Sequence, residues 1–155
     1  MSSTPVSTIA TDRPKRVSTH DLSTALRIGV ARLGRRLRAE KADDEVSDAQ
    51  ISALALLVRE GAHTLGELSE RERVTPPSMN RTVNCLADSG FIVRVADPAD
   101  GRKVVVTPTE KGRELVAETR RRRDAWLYQR LRTLTPEQRR TLADAAAIMR
   151  ELADS

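Results

Sequence analysis

Aromatic side chains are almost absent: the 155 residues hold one Trp, one Tyr and one Phe. Any core therefore rests on aliphatic packing, and a pocket for a ring-shaped ligand would have to be built from aliphatic and Arg side chains. A single cysteine, Cys85, excludes an internal disulfide framework and any Cys-based zinc site. The two histidines, His20 and His63, lie far apart and have no ligand-like spacing. No apolar run approaches a membrane span and no signal-peptide pattern is visible, so a cytoplasmic location is expected. No paired carboxylates, nucleophile–base set, glycine-rich phosphate loop or metal cluster stands out. The expectation is accordingly a protein that is not an enzyme and needs no cofactor or metal.

Aliphatic residues and charge are what is plentiful. Hydrophobic residues make up 39 %, mostly Leu, Val, Ala and Ile. That suffices for one domain, or for one compact unit that completes itself by oligomerising. Lys and Arg number 27 against 22 Asp and Glu, a formal net charge of +5. The excess suits an anionic partner, although charge speaks to association and not to fold.

Along the chain, residues 1–17 are rich in Ser, Thr and Pro and lack periodicity, which predicts a flexible tail. Ser18 with Asp21 resembles a capping box. Leu22, Leu26, Val30, Leu33 and Leu37 then repeat at helical spacing and form one apolar stripe. Ala42–Val46 is a polar connector. Ser47 with Gln50 makes a second box, before a helix with Ile51, Leu54, Leu57 and Val58 on its apolar face that ends near Gly61. Thr64 with Glu67 opens a short third helix. Thr75 caps a fourth, with Pro76 in its first turn and Gly90 at its close. Phe91–Ala96 and Lys103–Thr107 are β-branched-rich around a Pro/Asp/Gly loop and read as a hairpin. Thr107-Pro108-Thr109-Glu110 reads as another capping box, opening a long helix to about Leu134 that carries Leu115, Thr119, Trp126, Leu127 and Leu131. Thr135 and Gln138 cap a last helix with Leu142, Ala145, Ala146, Met149 and Leu152 on one face. The order is α-α-α-α-β-β-α-α, with room for a minimal strand at His63.

Residues 64–107 concentrate the chemistry. Short helix, tight turn, second helix and basic hairpin together make a winged helix, whose usual partner is the DNA duplex. At 100° per residue, Met79, Val83 and Leu86 fall on the inner side of the second helix. Pro77, Arg81 and Asn84 fall opposite, with Ser78 and Asn80 on the flanks. Arg81 can bridge a guanine edge or hold a phosphate; Thr75, Ser78, Asn80 and Asn84 can make either contact. Arg102 and Lys103 stand near the hairpin tip, where an arginine can enter a narrow minor groove. Arg94 can reach a phosphate from the strand. Asp100 repels DNA, and is expected to pair with Arg102 or Arg94 and shape the loop. Arg120–Arg123 is expected to be a solvated helix face, the commoner fate of such a run, over a DNA-backbone contact. Cys85 has no resolving partner, so no redox role is expected. His63 is expected to be structural. The long helices at both ends exceed what a winged helix needs, and an intertwined two-fold dimer would use them.

Two stretches, LGELSERERVTPPSMNRTVNCLADSGFIVR and DPADGRKVVVTPTEKGREL, resemble the MarR family of bacterial transcriptional regulators, in an Arg-rich version of actinobacterial type. Asp100, Arg102 and Thr109 fit the family's wing signature, whereas Pro108 replaces the usual Leu and Gly101 stands where many members place another arginine. The resemblance covers about residues 20–152. It implies a homodimeric winged-helix repressor on a palindromic operator, often released by small anionic or phenolic ligands. The expected fold class is thus mainly α (α+β). A single unit over 18–155 would hold a winged helix-turn-helix core at 47–107 and a helical dimerisation bundle from 18–41 and 108–152. The alternative function is a basic, architectural DNA-binding module without sequence preference.

Overall fold

The structure, a computed structural model, describes residues 17–155. Apart from Val17, the expected tail lies outside the described residues. The elements are α1 (Thr19–Ala39), α2 (Asp48–Glu60), α3 (Leu65–Glu72), α4 (Pro76–Asp88), β1 (Ile92–Ala96), β2 (Val104–Pro108), α5 (Glu110–Leu131) and α6 (Pro136–Asp154). Mostly helical with one two-stranded antiparallel sheet, this is the fold class and element order that the sequence predicts.

The chain divides into two compact units, one ending at Gly34 and one running from Arg35 to Ser155. The described part of the first is the beginning of α1. There Ser18 donates its hydroxyl to Asp21 (2.7 Å) and accepts the Asp21 amide (3.0 Å), closing the anticipated cap. Its apolar residues are poorly covered: Leu22, Ile28, Val30 and Leu33 are all exposed.

The second unit owns the core. Capping boxes set three helix starts. Ser47 and Gln50 exchange bonds of 3.2 and 2.7 Å, Thr64 and Glu67 of 3.2 and 2.8 Å, Thr135 and Gln138 of 3.1 and 3.0 Å. Each pair satisfies two donors that the first turn would leave orphaned. α2 is the central element, packed against α3, α4, α5 and β2. Its Leu54 and Leu57 are buried together with Leu68 of α3, Met79, Val83 and Leu86 of α4, Ile92 of β1, Val106 of β2, and Leu115 and Val116 of α5. Each fully buried aliphatic side chain contributes about 1.5–3 kcal/mol relative to exposure.

Two glycines hold the corner where the helix-turn-helix meets the hairpin. Gly90 takes φ 77°, which lets the Phe91 amide turn back to the Leu86 carbonyl at 2.9 Å and end α4. Gly112 lies against backbone: a Cβ there would stand 2.2 Å from the Phe91 carbonyl oxygen. The hairpin pairs Ile92 with Pro108 through Ala96 with Val104. His63 adds the minimal strand, bridging Val106 in both directions (3.2 and 2.7 Å). Its ring Nδ1 lies 2.9 Å from the Gly61 carbonyl oxygen, a structural role as expected.

Three local expectations change. α5 is capped by Thr109, which accepts the Gly112 amide, and not by Thr107. The physical reason is pairing: Thr107 and Pro108 are the last rungs of β2, opposite Val93 and Ile92. α5 also stops at Leu131, a few residues before Leu134. Nor is the Arg120–Arg123 run simply solvated. Arg121 and Arg122 grip Glu118, Arg122 also donates to the Lys41 carbonyl (3.3 Å), and Arg123 donates to the Leu37 carbonyl (3.1 Å). With Ala42 donating to the buried Thr119 hydroxyl at 3.2 Å, these bonds fasten the last turn of α1 and the α1–α2 connector to α5. Arg121 and Arg122 hold the Glu118 carboxyl below its ordinary value of 4.5.

Candidate nucleic-acid interface

α3 and α4 form the helix-turn-helix, and their packing decides which side chains are free. Burial of Met79, Val83 and Leu86 turns the opposite face of α4 to solvent. Pro77, Asn80, Arg81 and Asn84 are exposed there and Ser78 is half-buried. At the start of α4, Thr75 occupies the N-cap position, but its side chain makes no cap bond. Pro76 and Pro77 bring no N–H to the first turn, so little remains to be capped. The Thr75 hydroxyl is thus exposed and uncommitted, unlike those of Thr64 and Thr109.

The turn between the helices closes tightly. Arg73 donates its amide to the Glu70 carbonyl (3.2 Å) and Val74 to that of Ser69 (3.0 Å). This requires φ 54° and ψ 43° at Arg73, a left-handed conformation that costs an ordinary residue on the order of 1 kcal/mol. Behind the turn, Glu60 binds Arg59 (3.0 Å) and Arg71 (3.2 Å) and lies 3.7 Å from His63 Nε2. Its carboxyl is held below the ordinary range, first by the hydrogen bond from Arg59.

The hairpin carries the second half of the candidate site. In the loop from Asp97 to Lys103, Asp97 donates its amide to the Lys103 carbonyl (2.9 Å) and Lys103 to that of Asp100 (2.9 Å). The Asp97 side chain accepts the Ala99 amide (2.9 Å) and the Asp100 side chain the Arg102 amide (3.2 Å). Asp100 therefore shapes the loop through backbone: among the described residues it forms no ion pair with the Arg102 or Arg94 guanidinium. A two-residue reach along the chain brings an amide directly to it, whereas a guanidinium would have to fold back over the loop. Arg94 is committed elsewhere, donating to Asn84 Oδ1 and tying β1 to the outer face of α4. Arg102 and Lys103 are exposed and make no side-chain hydrogen bond or ion pair among the described residues.

Sequence reasoning singled out the α4 and wing positions but missed Arg73 and the Glu60 cluster with Arg59 and Arg71. Nothing in the run Arg71-Glu72-Arg73-Val74 at the end of α3 marks its third residue as left-handed. Cys85 is exposed on α4, and the chain holds no second cysteine. Among the described residues no group of His, Cys, Asp and Glu is arranged to hold a metal ion, and no helix is long and apolar enough to cross a membrane.

A helix-turn-helix whose second helix bares polar and cationic groups, followed by a two-stranded wing with a basic tip, defines a winged-helix DNA-binding protein. Residues 46–104 match the model of the MarR family. An uncharacterized HTH-type transcriptional regulator of Mycobacterium leprae is 47 % identical over 133 residues, 86 % of this chain and 93 % of that one. A putative transcriptional regulator from Pseudomonas aeruginosa superposes with a TM-score of 0.77 at 31 % identity, over 90 % of this chain and 99 % of its own. The Bordetella bronchiseptica protein BpsR, whose structure concerns the mechanism for regulation of its DNA binding by 6-hydroxynicotinic acid, shares the fold. It has a TM-score of 0.64 at 24 % identity, over 86 % of this chain and 94 % of its own. The chain belongs to the MarR family of helix-turn-helix transcriptional regulators.

Proposed function

We propose that this regulator is a cytoplasmic homodimeric repressor that reads a palindromic operator with α4 and grips the flanking groove with the wing. The observation that carries the reading is the set of uncommitted polar and cationic groups on one side of the winged helix. Thr75, Asn80 and Arg81 around α4, and Arg102 and Lys103 on the wing, are exposed and have no side-chain partner among the described residues. Pro77 and Ser78 complete the α4 surface, while Asn84 and Arg94 act as a bonded pair. Arg81 supplies either a bidentate guanine contact or a phosphate contact. A gel-shift titration tests this, with DNA flanking the gene against random duplex of equal length. A specific repressor prefers the former by orders of magnitude at moderate salt. Equal affinity for both would favour the architectural alternative.

The dimer is supported by faces that the single chain leaves open. α6 buries none of its residues, and Leu142, Ile148, Met149 and Leu152 are exposed on it; α1 likewise exposes Leu22, Ile28, Val30 and Leu33. Exposed apolar rows on helices this long mark an interaction surface.

Ligand release belongs to the same proposal. A cavity of about 320 Å³ opens beside α2 and α5, lined by Leu37, Ile51, Val116, Arg120, Arg123 and Leu127 among others. Its size suits a small ligand. Its aliphatic walls and two guanidiniums offer a place for a small anionic or phenolic compound, and the regulation of BpsR by 6-hydroxynicotinic acid is in keeping with that chemistry. Trp126, the sole tryptophan, lies between Arg123 and Leu127 in sequence, with Arg130 4.1 Å from its ring centre. Its fluorescence should report binding when salicylate is titrated in.

A further inference from the structure

We propose that Arg73, in the turn of the helix-turn-helix, is a further anchor for one phosphate of the DNA backbone; the inference rests on the winged-helix reading above. Three observations converge on it. The first is conformational. Among the described residues Arg73 alone combines a side chain with a positive φ. The position closes α3 and suits glycine best, since glycine has no Cβ to oppose the left-handed backbone. An arginine therefore works against the local fold, and the fold does not account for its side chain.

The second is that the guanidinium is idle. Arg71 is held by Glu60 and Arg94 by Asn84. Arg73 is exposed and forms no side-chain hydrogen bond or ion pair among the described residues. Its backbone amide closes α3, but its guanidinium does not reach the last carbonyls, the usual service of a cation at a helix end.

The third is placement. Arg73 stands two residues before Thr75, so their Cα atoms are at most about 7.6 Å apart. It thus flanks the N-terminal end of α4, the end that carries Pro77, Ser78 and Arg81. With that end in the major groove, a cation beside it meets the strand that borders the groove. Each strand presents one phosphate per ~3.4 Å of duplex axis there. The partner is a backbone phosphate, so the contact adds affinity and register but no base preference.

Fluorescence anisotropy on two duplexes, the DNA flanking the gene and a random sequence of equal length, tests the assignment for wild type, Arg73→Gly, Arg73→Lys and Arg81→Ala. Arg73→Gly should weaken both duplexes by the same factor, about tenfold. It should also flatten the slope of log K against log salt by about 0.9, with a melting temperature equal to or above that of wild type. Arg73→Lys keeps the charge and the backbone cost, and should keep the wild-type slope. Unchanged affinity and slope in Arg73→Gly, beside weakened binding in Arg81→Ala, would remove Arg73 and leave the α4 interface standing. So would a loss confined to one duplex, or a lysine variant no better than glycine. Failure of wild type to bind either duplex at low salt would overturn the winged-helix reading and this inference together.

Discussion

Arginines that look alike in the sequence have different neighbours. Arg81 leaves α4 without a partner among the described residues, Arg94 is bonded to Asn84, Arg123 holds the Leu37 carbonyl and Arg71 holds Glu60. Removing the first should be felt by DNA and spare the fold. Arg81→Ala should lose about 1–3 kcal/mol of specific binding if the side chain meets a base, and weaken all sequences evenly if it meets phosphate. Competition titrations with specific and random duplex separate the two, and an unchanged affinity in a folded variant would take Arg81 out of the interface. Gly112 is the opposite kind of residue, silent to DNA and critical to the fold. A Cβ added there meets the Phe91 carbonyl oxygen at 2.2 Å and Leu54 Cδ1 at 3.1 Å. Backbone yields less easily than a side-chain tip, so Gly112→Ala should destabilise by roughly 1–3 kcal/mol. A thermal melt should show its midpoint several degrees lower; a midpoint equal to wild type would mean that the β1–α5 corner relaxes freely.

At the level of elements, the helix starts were the most legible feature. Serine or threonine followed three residues later by Gln or Glu is a local pattern, satisfied by atoms a turn apart, so Ser47, Thr64 and Thr135 cap as the sequence indicates. The miss at Thr107 has the opposite origin. A cap competes there with a rung of the sheet, and the partner strand that wins is set by the hairpin. The α3 cap also has a pH signature. The Thr64 amide, and then the Thr64 side chain, hold the Glu67 carboxyl below its ordinary value of 4.5. A lowered folded-state pKa means that the cap's contribution is fully present above that value and is lost as pH falls through the depressed one. Melting between pH 7 and pH 3 should therefore show a component that Glu67→Gln removes. A variant with the same acid dependence as wild type would show that Glu67 has no share in it. The wing is built similarly from short-range bonds, and its Pro/Asp/Gly composition announced the loop.

For the whole molecule, the apolar stripes at both chain ends read correctly as helices and are left partly uncovered, at Leu22, Val30 and Leu33 on α1 and Leu142, Met149 and Leu152 on α6. If a second copy covers them, light scattering at micromolar concentration should return twice the chain mass of 17.2 kDa. A monomer there would end the dimer proposal. Release by a ligand requires unequal affinity for the DNA-competent and DNA-incompetent arrangements; a tenfold loss of operator affinity corresponds to about 1.4 kcal/mol of coupling. Salicylate that quenches or shifts Trp126 fluorescence while leaving operator affinity unchanged would refute switching for that class of compound.

The sequence by itself determined the order of elements, four of the helix caps, the inner face of α4 and the winged-helix class. These follow from spacing within one element or one turn, where neighbours in the chain are neighbours in space. Only the tertiary structure decided that Asp100 holds an amide and Arg94 holds Asn84, that Arg122 and Arg123 of α5 fasten the connector and the last turn of α1, and that Arg73 sits in a left-handed turn. A guanidinium offers five donors on a long flexible stem and can serve many partners. Which partner it takes is settled by elements far away in sequence, as with Leu37 and Arg123, 86 positions apart.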